Sequence, residues 1–168
     1  MLKLIGCSLI ISAAALFGLN KINTFKKRVN GLKYMIELLS ALKIKINYES
    51  SAVPVILKEL TNKAQNTYFL KSCIELLNKG KSLNYAWNKS VDDYSSNYHL
   101  SKKDVQILKD FSIGLGESDV EGQITNIQLY IELINKNLKE AEEKLSENSR
   151  ISISCSIFGG LILSILLF

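Results

Sequence analysis

A run of regularly spaced apolar residues near the C-terminus constrains this chain more than any other feature. From Val120 the apolar residues recur at steps of four and three, the heptad spacing of an amphipathic helix, which excludes a strand. No glycine or proline interrupts the sequence from Gln123 to Phe158. The pattern predicts one long helix whose buried seam consists of Val120, Ile124, Ile127, Ile131, Ile134, Leu138, Ala141 and Leu145.

The polar face of this helix disappears at Ile151, and residues 151–168 carry no charge. A helix rises about 1.5 Å per residue, so this segment spans roughly 27 Å, close to the hydrocarbon thickness of a bilayer. The sequence therefore predicts a C-terminal transmembrane helix that continues the long helix without a break.

A second uncharged segment, Leu4–Leu19, lies at the N-terminus and is followed by a basic cluster. Positive charge beside an apolar segment is typical of the cytoplasmic side of a membrane anchor and also attracts anionic lipids. This favours an uncleaved anchor at residues 1–20. The alternative is a signal peptide cleaved near Ala13–Ala15, which would make the mature chain an exported helical adaptor. The cluster comprises Lys21, Lys26, Lys27, Arg28 and Lys33.

The residues between the two apolar segments are predicted to be helical throughout. A second heptad seam runs from Ile22 to Ile46, and the chain contains a single proline. The expected fold is all-α, with a cytoplasmic bundle of about six helices at 21–150 between transmembrane helices at 1–20 and 151–168. The shorter helices are predicted at Pro54–Ala64, Thr67–Lys79, Ser82–Tyr94 and Val105–Ile113, with a loop at Ser95–Asn97 and a capping box of Ser101 and Asp104.

No catalytic or metal-binding arrangement is recognisable in the sequence. His99 is the only histidine, and the three cysteines form no CxxC motif. We therefore expect no enzymatic activity, no cofactor and no metal. The net charge of +5 is not arranged as a basic stripe interleaved with aromatic residues, so nucleic-acid binding is not expected either.

Three other residues fall on apolar helical faces. Cys73 is expected to be a buried, inert thiol. Trp87 and Tyr94 lie seven residues apart on one face, which fits either a core position or an exposed anchor for a partner protein.

The start of the long helix is unusually acidic. Ser118 as N-cap and Glu121 three residues later predict a capping box, which does not require Glu117. The surplus acidity predicts that the turn is also a partner-binding surface, complementary to a basic patch. The residues assigned to this surface are Glu117, Asp119, Glu121 and Gln123.

Small side chains recur every four residues in both apolar segments. Such stripes let membrane helices approach closely, so they predict packing against other membrane subunits or within a homo-oligomer. The residues are Ala14 and Gly18 in the first segment, and Ser152, Ser156, Gly160 and Ser164 in the second.

Several short motifs, in this order along the whole chain, resemble the stage III sporulation protein AB family of endospore-forming bacteria. One departure is Lys45, where the family pattern would have an acidic residue. The motifs are Met1–Gly6, Ile46-Asn47-Tyr48 before Pro54, Ala86-Trp87, Leu115–Asp119 with Gln123, and Phe158–Leu161.

The resemblance implies a non-enzymatic membrane component of the channel complex between mother cell and forespore. The family is similar to the inner-membrane platform proteins of type II secretion and type IV pilus systems. The implied partners are the secretion-type ATPase of the sporulation complex and the other membrane subunits of that complex.

Overall fold

Six α-helices account for the regular secondary structure that the computed structural model describes. It describes the backbone of residues 2–49, 51–63, 68–116 and 118–167, and the side chains of residues 20–49, 51–61, 68–116 and 118–151. No strand occurs in these ranges, so the all-α prediction is confirmed. The helices are α1 (Leu2–Tyr48), α2 (Val53–Lys63), α3 (Tyr68–Asn78), α4 (Leu83–Tyr98), α5 (Lys102–Phe111) and α6 (Val120–Leu167).

The two long helices, α1 and α6, pack antiparallel along the bundle. The Lys33 ammonium lies 2.8 Å from the Glu142 carboxylate, whereas Lys43, farther along α1, donates to Gln128, nearer the start of α6. Residues later in α1 therefore contact residues earlier in α6. This arrangement brings the beginning of α1 and the end of α6 to the same end of the bundle.

The core lies between this helix pair and the shorter helices. The predicted seams supply much of it, because Leu32, Leu39 and Leu42 of α1 and Ile127 and Ile134 of α6 are buried. Burying each such side chain contributes about 1.5–3 kcal/mol. The seam of α6 is buried only along its middle, since its first residue, Val120, is 44% exposed.

An aromatic chain links the shorter helices to α6. Phe69 packs edge-on against Trp87 with ring centroids 4.8 Å apart, and Trp87 lies 5.1 Å from Phe111. Phe111 in turn meets Tyr130 at 5.4 Å. Trp87 and Tyr94 are both fully buried, so they are core residues and not exposed anchors.

Helix α4 is longer than the sequence predicted. The expected loop at Ser95–Asn97 is wrong, because these residues are helical. Their side chains donate back to carbonyl groups in the preceding turn, from Ser95 and Ser96 to Asp92 and from Asn97 to Asp93, which lets polar residues remain in a helix. The helix ends at His99, a left-handed C-cap with φ of 51°.

Within the part of the chain that the structure describes, no helix is both long and apolar enough to cross a membrane. Apart from Asn20 and Ile151, the predicted transmembrane segments 1–20 and 151–168 lie outside the residues whose side chains are described. The same holds for the small-residue stripes. These residues are Ala14, Gly18, Ser152, Ser156, Gly160 and Ser164.

Candidate partner-binding turn

The acidic turn that joins α5 to α6 is capped by Asp119 and not, as the sequence predicted, by Ser118. The Gly122 amide donates to Asp119 Oδ1 at 2.9 Å, and α6 begins one residue after Asp119. A capping box of Ser118 and Glu121 is therefore wrong. Ser118 and Asp119 are both favoured N-cap residues, and the helix starts one position later than expected.

Two neighbouring residues complete this cap. A Cβ atom on Gly122 would lie 2.8 Å from Asp119 Oδ1, so glycine at this position leaves room for the capping carboxylate. Gln123 folds back over the turn and donates from Nε2 to the Ser118 carbonyl oxygen at 2.9 Å. Within the part of the chain that the structure describes, its buried Oε1 has no hydrogen-bond partner.

The structure describes three of the four residues assigned to partner binding, and they differ in their contacts. Asp119 and Glu121 are exposed in the first turn of α6, although the Asp119 carboxylate is engaged as a cap. Gln123 is half-buried and stabilises the turn. Glu117 lies outside the described residues. Of the described acids, Glu121 is therefore the one whose carboxylate is not used for capping.

The turn lies at the end of the bundle opposite the apolar ends of the chain. Gly116, at φ of +84°, lies over the first residues of two other helices: a Cβ on it would be 3.6 Å from Leu83 of α4 and 3.9 Å from Val53 of α2. α6 begins at this end and runs the length of the bundle before residue 151. A protein that contacts this turn approaches from the side farthest from both apolar segments.

A buried polar network that the sequence did not reveal lies near the other end of the bundle. Arg28 of α1 donates to the Asp104 carboxylate of α5 from Nε at 2.7 Å and from Nη2 at 3.1 Å. Asn137 of α6 donates to the same carboxylate at 2.8 Å, and the Ser101 amide donates at 2.8 Å. The sequence grouped Arg28 with the basic cluster that follows the first apolar segment, and the structure shows that its side chain is buried in this network.

These contacts set the charge state of Asp104, which is 1% exposed. Burial by itself would raise the pKa of this carboxyl, but the hydrogen bonds from Arg28 and Ser101 outweigh it and hold the pKa below the usual value. The sequence predicted the capping box of Ser101 and Asp104, which is confirmed. It gave no sign that the same carboxylate is shared with α1 and α6.

Lys45, the departure from the family pattern, bridges two helices. Its ammonium contacts the Glu49 carboxylate just beyond α1 and the Glu59 carboxylate of α2. The hydrogen bonds that Lys45 donates to Glu49 and Glu59 raise the pKa of its ammonium group. The residue thus joins α1 to α2 at the end of the bundle where α1 ends.

Cys73 is fully buried in α3, as the sequence predicted. Burial raises the pKa of its thiol to about 11, which keeps it protonated and unreactive at neutral pH. Among the described residues no group of His, Cys, Asp and Glu side chains could hold a metal ion.

Comparison with known proteins identifies the family. The family model for stage III sporulation protein AB matches residues 3–168. The chain belongs to the stage III sporulation protein AB family. Stage III sporulation protein AB of Bacillus subtilis (strain 168) is 26% identical over 170 residues, covering 99% of this chain and 99% of that relative.

A solved structure of a stage III sporulation protein AB supports the fold. It superposes with a TM-score of 0.63 at 22% identity, covering 71% of this chain and 97% of that chain. The names of these family members are those of sporulation proteins and not of enzymes. The resemblance inferred from the short motifs is thus confirmed.

Proposed function

We propose that this chain is a non-enzymatic membrane component of the sporulation channel between mother cell and forespore. In this role its helical head docks the secretion-type ATPase of the complex in the cytoplasm, while its two apolar ends anchor it among lipids and other membrane subunits. The antiparallel pairing of α1 and α6 carries this proposal, because it brings the start of α1 and the end of α6 to one end of the head.

Sequence chemistry supports the membrane anchoring. Both end segments are uncharged over a length that suits a bilayer, and lysines follow the first one directly. Lys21, Lys26 and Lys27 are exposed, so they are accessible to anionic headgroups. The small-residue stripes would then face other membrane helices or a second copy of the chain.

The acidic turn supports the docking of the ATPase. It lies at the far end of the head, where a cytoplasmic protein can reach it without meeting lipid. Among the described acids of the turn, Asp119 supplies the capping carboxylate, which leaves the charge of exposed Glu121 for a basic partner surface; Glu117 would add to that charge. Complementary charge chiefly accelerates association and selects the partner.

The test is co-purification of the ATPase with the full-length chain from sporulating cells, with Glu117→Lys and Glu121→Lys as the variants. Glu143→Lys is the matched control, since it makes the same charge change at another exposed position of α6. We expect both turn variants to lose most of the bound ATPase and spore formation, and the control to keep them.

Asp119→Asn separates docking from capping, because asparagine caps as well as aspartate but carries no charge. We expect this variant to melt like the native protein. If Glu117→Lys and Glu121→Lys fold normally and retain ATPase binding and spore formation at native levels, the turn is a helix cap and the docking proposal is wrong.

A further inference from the structure

The compact part of the head ends at the same level on both long helices. On α1 no side chain from residue 20 to 27 is buried, and burial begins at Arg28 and Val29. Among the described residues of α6, Ala141 is the last one that is fully buried, and none from 142 to 151 is. Half-buried Leu145 is the last described apolar residue of α6 that packs against the core, so the described parts of both helices leave the bundle just beyond this level.

The network of Arg28, Asp104 and Asn137 lies at this boundary. We propose that these three side chains, hereafter the base clamp, hold α1 and α6 side by side where the two helices leave the bundle. Asp104 is the centre of the clamp, because it accepts from α1 and from α6 while belonging to α5.

The clamp consists of directional hydrogen bonds to the Asp104 carboxylate. Each Asp104 oxygen accepts two hydrogen bonds: Oδ2 from Arg28 Nε and the Ser101 amide, and Oδ1 from Arg28 Nη2 and Asn137 Nδ2. A carboxylate has about four lone-pair sites, so its acceptor capacity is filled. Arg28 presents two parallel donors, which fixes its orientation as a lysine would not.

Stability alone does not explain these residues. A buried ion pair can often be replaced by apolar side chains of similar volume at no cost. Asn137 is 1% exposed, and its buried Oδ1 has no hydrogen-bond partner among the described residues, which opposes folding. Apolar contacts, by contrast, would allow the helices to splay or slide. Hydrogen bonds in this buried network form only at one relative position of the helices, so the network specifies that position.

The other polar links at this level are weaker. Lys33 with Glu142 joins α1 to α6, and Lys103 with Glu140 joins α5 to α6, but both pairs are exposed. Exposed pairs of this kind are screened and constrain little. The clamp consists of contacts within the head, so a failure of ATPase docking would not affect it.

Pulsed electron paramagnetic resonance on the full-length chain in detergent micelles tests the clamp. Cys7 and Cys155 are replaced by serine, buried Cys73 stays, and spin labels are attached at Asn23→Cys and Ser146→Cys, both exposed. Asn137→Leu releases α6 from the clamp and keeps the ion pair. Arg28→Met combined with Asp104→Asn removes the charges and keeps a capping residue at 104.

We expect both clamp variants to remain helical by circular dichroism and to give a broader distance distribution, shifted to longer distances. The matched control, Lys33→Met with Glu142→Gln, removes an exposed link at the same level and is expected to match the native distribution. An unchanged distance distribution in folded clamp variants overturns the proposal, as does equal broadening in the control.

If the double variant loses its helical signal, the distance distribution of Asn137→Leu alone tests the proposal. Loss of helix in both variants also overturns it, because the network would then maintain the whole fold.

Discussion

Trp87 of α4 donates its indole N–H to the carbonyl oxygen of Leu108 in α5 at 2.8 Å. The ring is fully buried between Phe69 and Phe111, so the hydrogen bond forms in an apolar surrounding. The bond also occupies a carbonyl group that water cannot reach. Trp87, the largest fully buried side chain of the described core, therefore also forms a directional link between two short helices.

Replacing Trp87 with phenylalanine keeps an aromatic ring but removes the N–H donor. The unpaired carbonyl and the smaller ring together are expected to lower the free energy of unfolding by about 1–3 kcal/mol. Urea denaturation followed by circular dichroism measures this loss. Tyr85→Phe is the control, because Tyr85 is exposed on the same helix and should show almost no change.

The seam of α6 is tested by Ile131→Asp. Ile131 is 8% exposed and belongs to the core, so an aspartate there loses apolar contacts and buries a charge. We expect a loss of more than about 3 kcal/mol and a non-cooperative melting curve. Leu129→Asp is the control, because Leu129 is 52% exposed on the same helix. An unchanged melting temperature for Ile131→Asp would mean that the seam faces a partner and not the core.

The pH dependence of stability follows from Asp104. Its pKa is lower in the folded protein than in the unfolded chain, so folding favours the charged form. The stabilisation is present above the unfolded pKa, about 4, and is lost as the pH falls through the folded value. We expect the difference in unfolding free energy between the native protein and Asp104→Asn to be largest near pH 7 and to shrink towards pH 3. An equal difference at both values would contradict this.

Helix α1 crosses α4 closely at Gly31. A Cβ there would lie 2.8 Å from the Tyr98 Cβ, and the Gly31 carbonyl accepts from the Tyr94 hydroxyl at 2.9 Å. Alanine gains about 1 kcal/mol of helix propensity, but overpacking typically costs about 1–3 kcal/mol. We therefore expect Gly31→Ala to lower the melting temperature. Asn30→Ala, at the exposed neighbouring position, should not. A more stable Gly31→Ala would show that the two helices separate easily.

Periodicity in the sequence was sufficient to predict the long helices. The seams of α1 and α6 repeat over many turns, and their middle residues, such as Leu39 and Ile134, are buried. The ends of the helices were harder to predict, because each end depends on one or two capping side chains and neighbouring residues can cap equally well. Ser118 and Asp119 can both cap α6, and only the position of the Gly122 amide decides between them.

The base clamp could not be predicted for a different reason. Arg28 stands among lysines beside an apolar segment, a position that the positive-inside rule already explains. Asp104 was likewise explained as part of a capping box, and Asn137 lies beside the apolar seam. Each residue had a sufficient local role, and the contact between them depends on tertiary packing. An arginine within a lysine cluster is the one sequence signal for a bidentate pair.

The proposed topology places the head in the cytoplasm and both apolar ends in the membrane, and cysteine accessibility tests this proposal most directly. Single cysteines are placed by Asn97→Cys, exposed on the head, and by Phe168→Cys, with Cys7 and Cys155 replaced by serine. In intact cells treated with a membrane-impermeant maleimide, we expect labelling at 168 and none at 97 until the cells are permeabilised. Labelling at 97 in intact cells would contradict the account and would fit an exported helical adaptor.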